Sequence, residues 1–273
     1  DDTMDKNVRI GNPSIEFDVG RQLCVLSDDT VILDDIIYRE SVVGTATSGS
    51  GIKIIIPDEA PFIWIDAGMN NEDSLVIGDV YNCPLCISDS PTGGQDKILK
   101  VNVINDFGPN DELIISGATI QMTAETDSVY LTLQVNSNGP DDAVMQDTNY
   151  IRIGQPTIRS TGDHVFVVGD VEAIMTEQII IKDSGVAPVI TKNEGIKITI
   201  PDSISLSWNT LMVNNPEVVS FEGSSADDKL DSDNLFTITG DNKSLVISVD
   251  YDFIANDSLI ISNLPVLVGN EES

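Results

Sequence analysis

Gly51-Ile52-Lys53-Ile54-Ile55-Ile56-Pro57-Asp58 places isoleucine at 52, 54 and 56, with glycine before the run and proline after it. β-Branched residues at a period of two, bounded by turn formers, predict a strand with one buried face. The same text returns as Gly195-Ile196-Lys197-Ile198-Thr199-Ile200-Pro201-Asp202. Working outward from this pair, the correspondence continues in both directions. Upstream, Val8-Arg9-Ile10-Gly11-Asn12-Pro13-Ser14-Ile15 matches Ile151-Arg152-Ile153-Gly154-Gln155-Pro156-Thr157-Ile158, and Leu23-Cys24-Val25-Leu26 matches Val165-Phe166-Val167-Val168. Downstream, Trp64 falls on Trp208, Asn105-Asp106-Phe107 on Tyr251-Asp252-Phe253, and Leu113-Ile114-Ile115-Ser116 on Leu259-Ile260-Ile261-Ser262. Blocks kept in order along the chain identify a tandem duplication.

Other segments share the short alternating pattern, among them Lys97–Val103 and Leu245–Val249. Gly, Pro, Asn and Asp separate them at intervals of roughly 8–12 residues, the spacing of a sandwich or barrel. No helix-length stretch shows a 3.6-residue apolar period. The expected fold is all-β: two tandem β-sandwich domains, immunoglobulin-like or jelly-roll-like, over residues 1–149 and 150–273. Trp64 and Trp208 are read as core plugs, with sugar stacking as the alternative.

The chain has 273 residues, of which 14 are Lys or Arg and 45 Asp or Glu, a formal net charge of −31. Hydrophobic residues make up 41%, enough to build cores, so the acidity does not imply disorder. Contact with nucleic acid is not expected, because a phosphate backbone is met by Lys and Arg. No apolar run reaches the roughly 18 residues of a membrane-spanning helix, so membrane insertion is not expected either. The single histidine, His164, leaves one possible base for a Ser-His-Asp or Cys-His site, and it sits in a turn-like stretch. No enzyme activity is expected; an acid-pair glycosidase is the reading that residue types alone leave open.

Gly195–Pro201 with Trp208, Lys243–Val249 and Asp252-Phe253 with Asn256–Ser262 resemble the tandem immunoglobulin-like or cohesin-like β-sandwich repeats of large secreted and cell-surface prokaryotic proteins. Ser160–Asp170 and Ile179–Ser184 fit that pattern too. The likeness covers most of residues 151–273 and, more loosely, 8–120; Leu23–Leu26 and residues 78–96 depart from it. It implies an extracellular setting and carries over no catalytic residue.

The two copies end differently. The first runs on into Ser128-Val129-Tyr130-Leu131-Thr132-Leu133-Gln134-Val135, for which the second shows no counterpart. One reading is a fragment of a longer array. The other is that a neighbouring subunit fills the place by β-augmentation, with Val8 and Ile10 in the donor strand. The expected partners are therefore further copies, in a homopolymer, or neighbouring repeats. The expected function is a structural subunit of a filament, surface layer or adhesin stalk, with a carbohydrate- or protein-binding module as the alternative.

Acidic residues gather between strands. Asp228, Asp231 and Asp233, with Asp250, Asp252 and Asp257, form the candidate calcium set, since Ca²⁺ takes roughly six to eight oxygen ligands. Solvated loops that keep an acidic protein soluble are the competing reading. Cys83-Pro84-Leu85-Cys86 has the spacing of half a zinc site, a redox pair or a short disulfide, while Cys24 aligns with Phe166, an apolar position. Asn242-Lys243-Ser244 and Asn256-Asp257-Ser258 carry the N-glycosylation pattern.

Overall fold

Period-two segments this short cannot bury their apolar faces alone, so they assemble into sheets that cover one another. The computed structural model of the chain describes residues 11–18, 20–26, 30–47, 51–65, 85–88, 96–103, 105–135, 145–163, 165, 174–214, 219–221, 225–231 and 235–269. These residues are all-β apart from one 3₁₀ turn at Asp227–Lys229. They fall into two units, Asp1–Ile153 and Gly154–Ser273.

The first unit holds β1 (Ser14–Phe17), β2 (Gln22–Val25), β3 (Thr30–Ile32), β4 (Ile36–Arg39), β5 (Ile52–Ile55), β6 (Phe62–Ile65), β7 (Leu85–Ser88), β8 (Ile98–Val101), β9 (Glu112–Ile115), β10 (Thr119–Met122), β11 (Thr126–Val135) and β12 (Met145–Gly154). The second holds β13 (Thr157–Ser160), β14 (Ile174–Met175), β15 (Ile179–Lys182), β16 (Ile196–Thr199), β17 (Leu206–Trp208), β18 (Ser220–Phe221), β19 (Phe236–Thr239), β20 (Ser244–Ile247), β21 (Ser258–Ser262) and β22 (Pro265–Val268).

In the first unit a six-stranded sheet runs β2-β12-β11-β5-β8-β7, beside sheets β1-β4-β9 and β3-β10-β6. In the second the sheets are β13-β15-β21-β18, β14-β22-β17 and β16-β20-β19. The quoted isoleucine runs are β5 and β16, and they pair alike: Ile52 lies opposite Val101 and Ile196 opposite Ile247. The glycine before each run is required by its backbone, with φ of +78° at Gly51 and +64° at Gly195. Each core centres on its tryptophan, Trp64 fully buried and Trp208 nearly so. Both indoles are core plugs, which removes them as exposed stacking platforms.

Ile151-Arg152-Ile153-Gly154 opens the second repeat in the sequence but forms the end of β12 in space. Val129 pairs with Ile151 and Tyr130 with Tyr150, so this segment completes the sheet of the first unit. The 149/150 division expected from the repeat falls inside this strand. Arg152 fastens it: Nε donates to the Asp127 carbonyl oxygen at 3.0 Å, and the guanidinium lies 2.8 Å from the Asp127 carboxylate.

Candidate assembly edge

The loops around the sheets are held by the same devices in both units. Glu40, 5% exposed, accepts hydrogen bonds from Ser41 N–H and Ala46 N–H at 2.8 Å, Thr45 Oγ1 at 2.7 Å and Tyr38 Oη at 2.8 Å. Burial works against its ionisation, but these donors outweigh it and hold its carboxyl below the usual glutamate range. Asp183, 2% exposed, accepts from Ser184 N–H at 2.8 Å, Val189 N–H at 3.1 Å and Ile190 N–H at 3.0 Å. Lys97 Nζ donates to the carbonyls of Ala60 and Phe62 at 2.7 and 2.5 Å, and Lys243 Nζ to those of Ile204 and Leu206 at 2.6 Å. Desolvation lowers the Lys97 pKa, against the pull of Asp58 and Glu59. The sequence reading gives these four residues no role of their own. Their signal was the repeat itself, which sets Ile36-Ile37-Tyr38-Arg39-Glu40-Ser41 on Ile179-Ile180-Ile181-Lys182-Asp183-Ser184.

Against this shared frame, one edge differs. In the first unit β5 lies between β8 and β11, with Thr132 opposite Ile55, Leu133 opposite Ile54, Gln134 opposite Lys53 and Val135 opposite Ile52. In the second, β16 pairs with β20 and, among the described residues, with nothing on its other side. Burial follows the cover. Ile52, Ile54 and Ile56 are 1%, 0% and 0% exposed, whereas Ile196 and Ile200 are 9% and 8% exposed and Ile198 is only partly buried. Lys53 and Ile55 are half-buried; Lys197 and Thr199 are exposed.

The main-chain groups that face this open side can be named. Ile200 N–H donates to the Lys243 carbonyl at 2.9 Å, toward β20. Along a strand the N–H groups alternate sides, so those of Ile196 and Ile198 also face β20. The N–H and C=O groups of Lys197 and Thr199 therefore face away from β20, where no described strand pairs with them. Ile56 N–H likewise donates to the Lys97 carbonyl, and the Ile55 carbonyl accepts from Thr132 Oγ1 of β11 at 3.4 Å.

The candidate calcium residues have protein partners of their own. Asp257 accepts from Lys229 Nζ at 2.6 Å and Ile254 N–H at 2.9 Å. Burial opposes its ionisation, but the Ile254 N–H and the Lys229 ammonium prevail and hold its pKa below the usual value. Asp252 accepts from Lys192 N–H at 3.0 Å, and Lys192 Nζ stands 3.8 Å from Asp250. Asp228 lies within the 3₁₀ turn and Asp231 just after it; Asp233 lies outside the described residues. Among the described residues no three His, Cys, Asp or Glu side chains gather where one ion could sit.

Cys24 is buried and unbonded, its thiol pushed up to about 11 by desolvation and by Asp34. Cys83 and His164 lie outside the described residues, and Cys86 lies in β7. Val8 and Ile10 are outside them as well. Asn242 and Asn256 are exposed, with φ of +64° and +68°. A polar cleft of about 350 Å³ in the second unit is lined by Thr161, Thr176, Glu177, Gln178, Ser220, Ser262 and Asn263. The buried Thr176 hydroxyl has no partner among the described residues. No described helix is long and apolar enough to cross a membrane.

No protein-family model matches the chain, and no curated protein does. Among solved structures it is similar to the serine-rich repeat adhesion glycoprotein Srr1 of Streptococcus agalactiae, at 10% identity and TM-score 0.27 over 94% of this chain and 87% of that one. It is similar to the C-terminal domain of the AgI/II polypeptide BspA of the same species, at 9% identity and TM-score 0.29 over 93% and 90%. The C-terminal domain of the antigen I/II-family protein AspA of Streptococcus pyogenes gives 6% identity and TM-score 0.31 over 97% and 93%. Scores this low do not establish a common fold.

Proposed function

We propose that this chain is a structural module of an extracellular, cell-surface assembly (a filament, surface layer or adhesin stalk) whose modules are joined by β-strand complementation. The observation that carries this reading is β12: the segment that opens the second repeat completes the sheet of the first unit. Repeated along a series, such a segment ties each repeat to the one before it. Val8 and Ile10 occupy the same places in the first repeat and are the proposed donors to a preceding sheet. Arg9 then takes the part that Arg152 plays toward Asp127. Tandem all-β units with buried carboxylate clamps suit a load-bearing role, and a net charge of −31 keeps such a surface hydrated.

Gold-labelled antibody to the chain, applied to intact cells that produce it, is expected to decorate surface structures in electron micrographs. Label that appears only after permeabilisation overturns the proposal. The binding-module alternative draws on the polar cleft and its unpartnered Thr176 hydroxyl. Saturable binding of a glycan, lost in Thr176→Val, would favour it.

A further inference from the structure

We infer that the outer face of the sheet β13-β15-β21-β18 binds an acidic oligosaccharide, with its carboxylate between Arg159 and Lys182 and its hydroxyls in the polar cleft. This rests on the binding-module alternative above, to which it gives a ligand class and a place, and it does not depend on strand complementation. Register sets the face. Ile181, Leu259 and Ile261 belong to the core of the second unit, so residues of the opposite parity lie on the outer side. There Lys182 stands between Thr157 and Ser258, and Ile180 between Arg159 and Ile260. Arg159 and Lys182 are exposed, Ile180 and Ile260 partly so. In the next row Thr161 N–H donates to the Gln178 carbonyl at 2.9 Å, and Ser262 lies opposite Ser220. These four residues line the cleft of about 350 Å³. The cation pair and the cleft thus share one surface, and the two-residue step from Arg159 to Thr161 separates them by about 7 Å.

The first unit shows what this place does when it is satisfied from within. Its counterpart sheet β1-β4-β9 has the same register, with Arg39 between Ser14 and Glu112 and Ile37 opposite Glu16. Arg39 Nε donates to Glu16 at 3.1 Å and Nη1 donates to Glu112, so carboxylates of the sheet itself neutralise the cation. In the second unit Lys182 takes the place of Arg39, but Arg159 replaces Glu16 and Ser258 replaces Glu112. Among the described residues neither Arg159 nor Lys182 forms an ion pair. In a chain with 45 acids, two neighbouring cations without a carboxylate in either row fit one brought from outside. The cleft selects the rest of the ligand. Its hydroxyl and amide groups both donate and accept, as sugar hydroxyls do. Glu177, also in the lining, accepts from hydroxyls and repels a second acid, which orients the ligand with its carboxylate at Arg159 and Lys182. These rows hold no aromatic ring, the residue type that anchors protein interfaces, and this favours a glycan over an acidic protein.

The test uses the full chain and fluorescently labelled galacturonate and glucuronate trimers, with the neutral galactose and glucose trimers as controls. Polarisation should show saturable binding of the acidic trimers alone, weakening as ionic strength rises from about 0.05 to about 0.5 M. Hydrogen exchange on the wild-type chain should slow with ligand at residues 157–161 and 178–182. Arg159→Glu gives the second unit the pair that Glu16 and Arg39 make in the first. It should therefore fold with an unchanged urea midpoint and weaken binding by about tenfold or more. Gln178→Ala should weaken it about threefold. Because the exchange measurement is made on the wild type, it decides the matter even if a variant misfolds. No binding of either acidic trimer, protection placed elsewhere, or full affinity in a folded Arg159→Glu chain overturns the inference. Polyglutamate binding at the same residues with equal affinity overturns it too, and assigns the face to an acidic protein. Neutral trimers that bind regardless of Arg159 would keep the binding-module reading and remove this one. Antibody label confined to the cell interior would defeat the surface reading and leave sugar binding intact, so the failures are distinguishable.

Discussion

Glu40 and Asp183 show what single residues do in this chain. Each is a carboxylate taken out of water and surrounded by N–H donors of the loop that follows it. Removing the acceptor strands several buried donors together, so Glu40→Ala and Asp183→Ala should each cost about 2–4 kcal/mol in urea unfolding. Glu40 also fixes a pH dependence. Its folded pKa is depressed, so the stability it contributes is complete above the unfolded value of about 4.3 and is lost as pH falls through the lower folded value. The urea midpoint of the wild type should drop more steeply below about pH 4 than that of Glu40→Gln, followed by circular dichroism. One glycine shared by the two repeats has a steric cause. A Cβ on Gly154 would overlap the Ala187 carbonyl oxygen, and one on Gly11 would overlap Ser41 Oγ and the Thr45 methyl. Gly154→Ala should therefore lower the stability of the second unit by about 1–3 kcal/mol, whereas Gly162→Ala, which meets only Glu177 at 3.4 Å, should change it little.

At the scale of elements, β5 and β16 have nearly the same sequence and opposite tolerance to proline. Lys53 N–H faces β11 inside a six-stranded sheet, while Lys197 N–H faces the open side. Lys53→Pro should destabilise the first unit by about 2–4 kcal/mol, and Lys197→Pro should cost the second about 1 kcal/mol or less, read as separate transitions in denaturant. That contrast shows where sequence reading succeeded and where it stopped. The isoleucine period gave both strands, and the unmatched Val129–Val135 pointed to a difference between the units. The place of the difference was hidden, because strand order depends on which edges meet in space and β11 pairs across 77 positions of chain. The sheet that the end of β12 joins was hidden for a related reason. Ile151–Gly154 repeats Val8–Gly11 in sequence, but period-two pattern does not say which sheet a strand joins. The clamps were legible only once Glu40 and Asp183 were seen buried, since surface acids abound in a chain with 45 of them. Asp257, one of the calcium candidates, is bonded to Lys229.

For the whole molecule, the two strand sites impose an order of assembly. In the first unit the sheet runs outward from β5 to β11 and then to β12, so the β12 position exists only beside a strand in the β11 position. In a series of such repeats, a Val8–Gly11 segment therefore pairs with a sheet that already holds a strand in the β11 position. Charge acts in the same direction, because chains of −31 repel one another until contact energy or screening offsets the repulsion. At low ionic strength the full chain should therefore sediment mainly as a monomer. As salt screens that repulsion, it should associate head to tail through residues 1–11. The extent should grow as ionic strength rises from about 0.05 to about 0.5 M, where the Debye length falls from near 14 to near 4 Å. Deleting residues 1–11 should abolish this association. Analytical ultracentrifugation of the intact and truncated chains decides it: association that survives the deletion removes Val8 and Ile10 from the donor role.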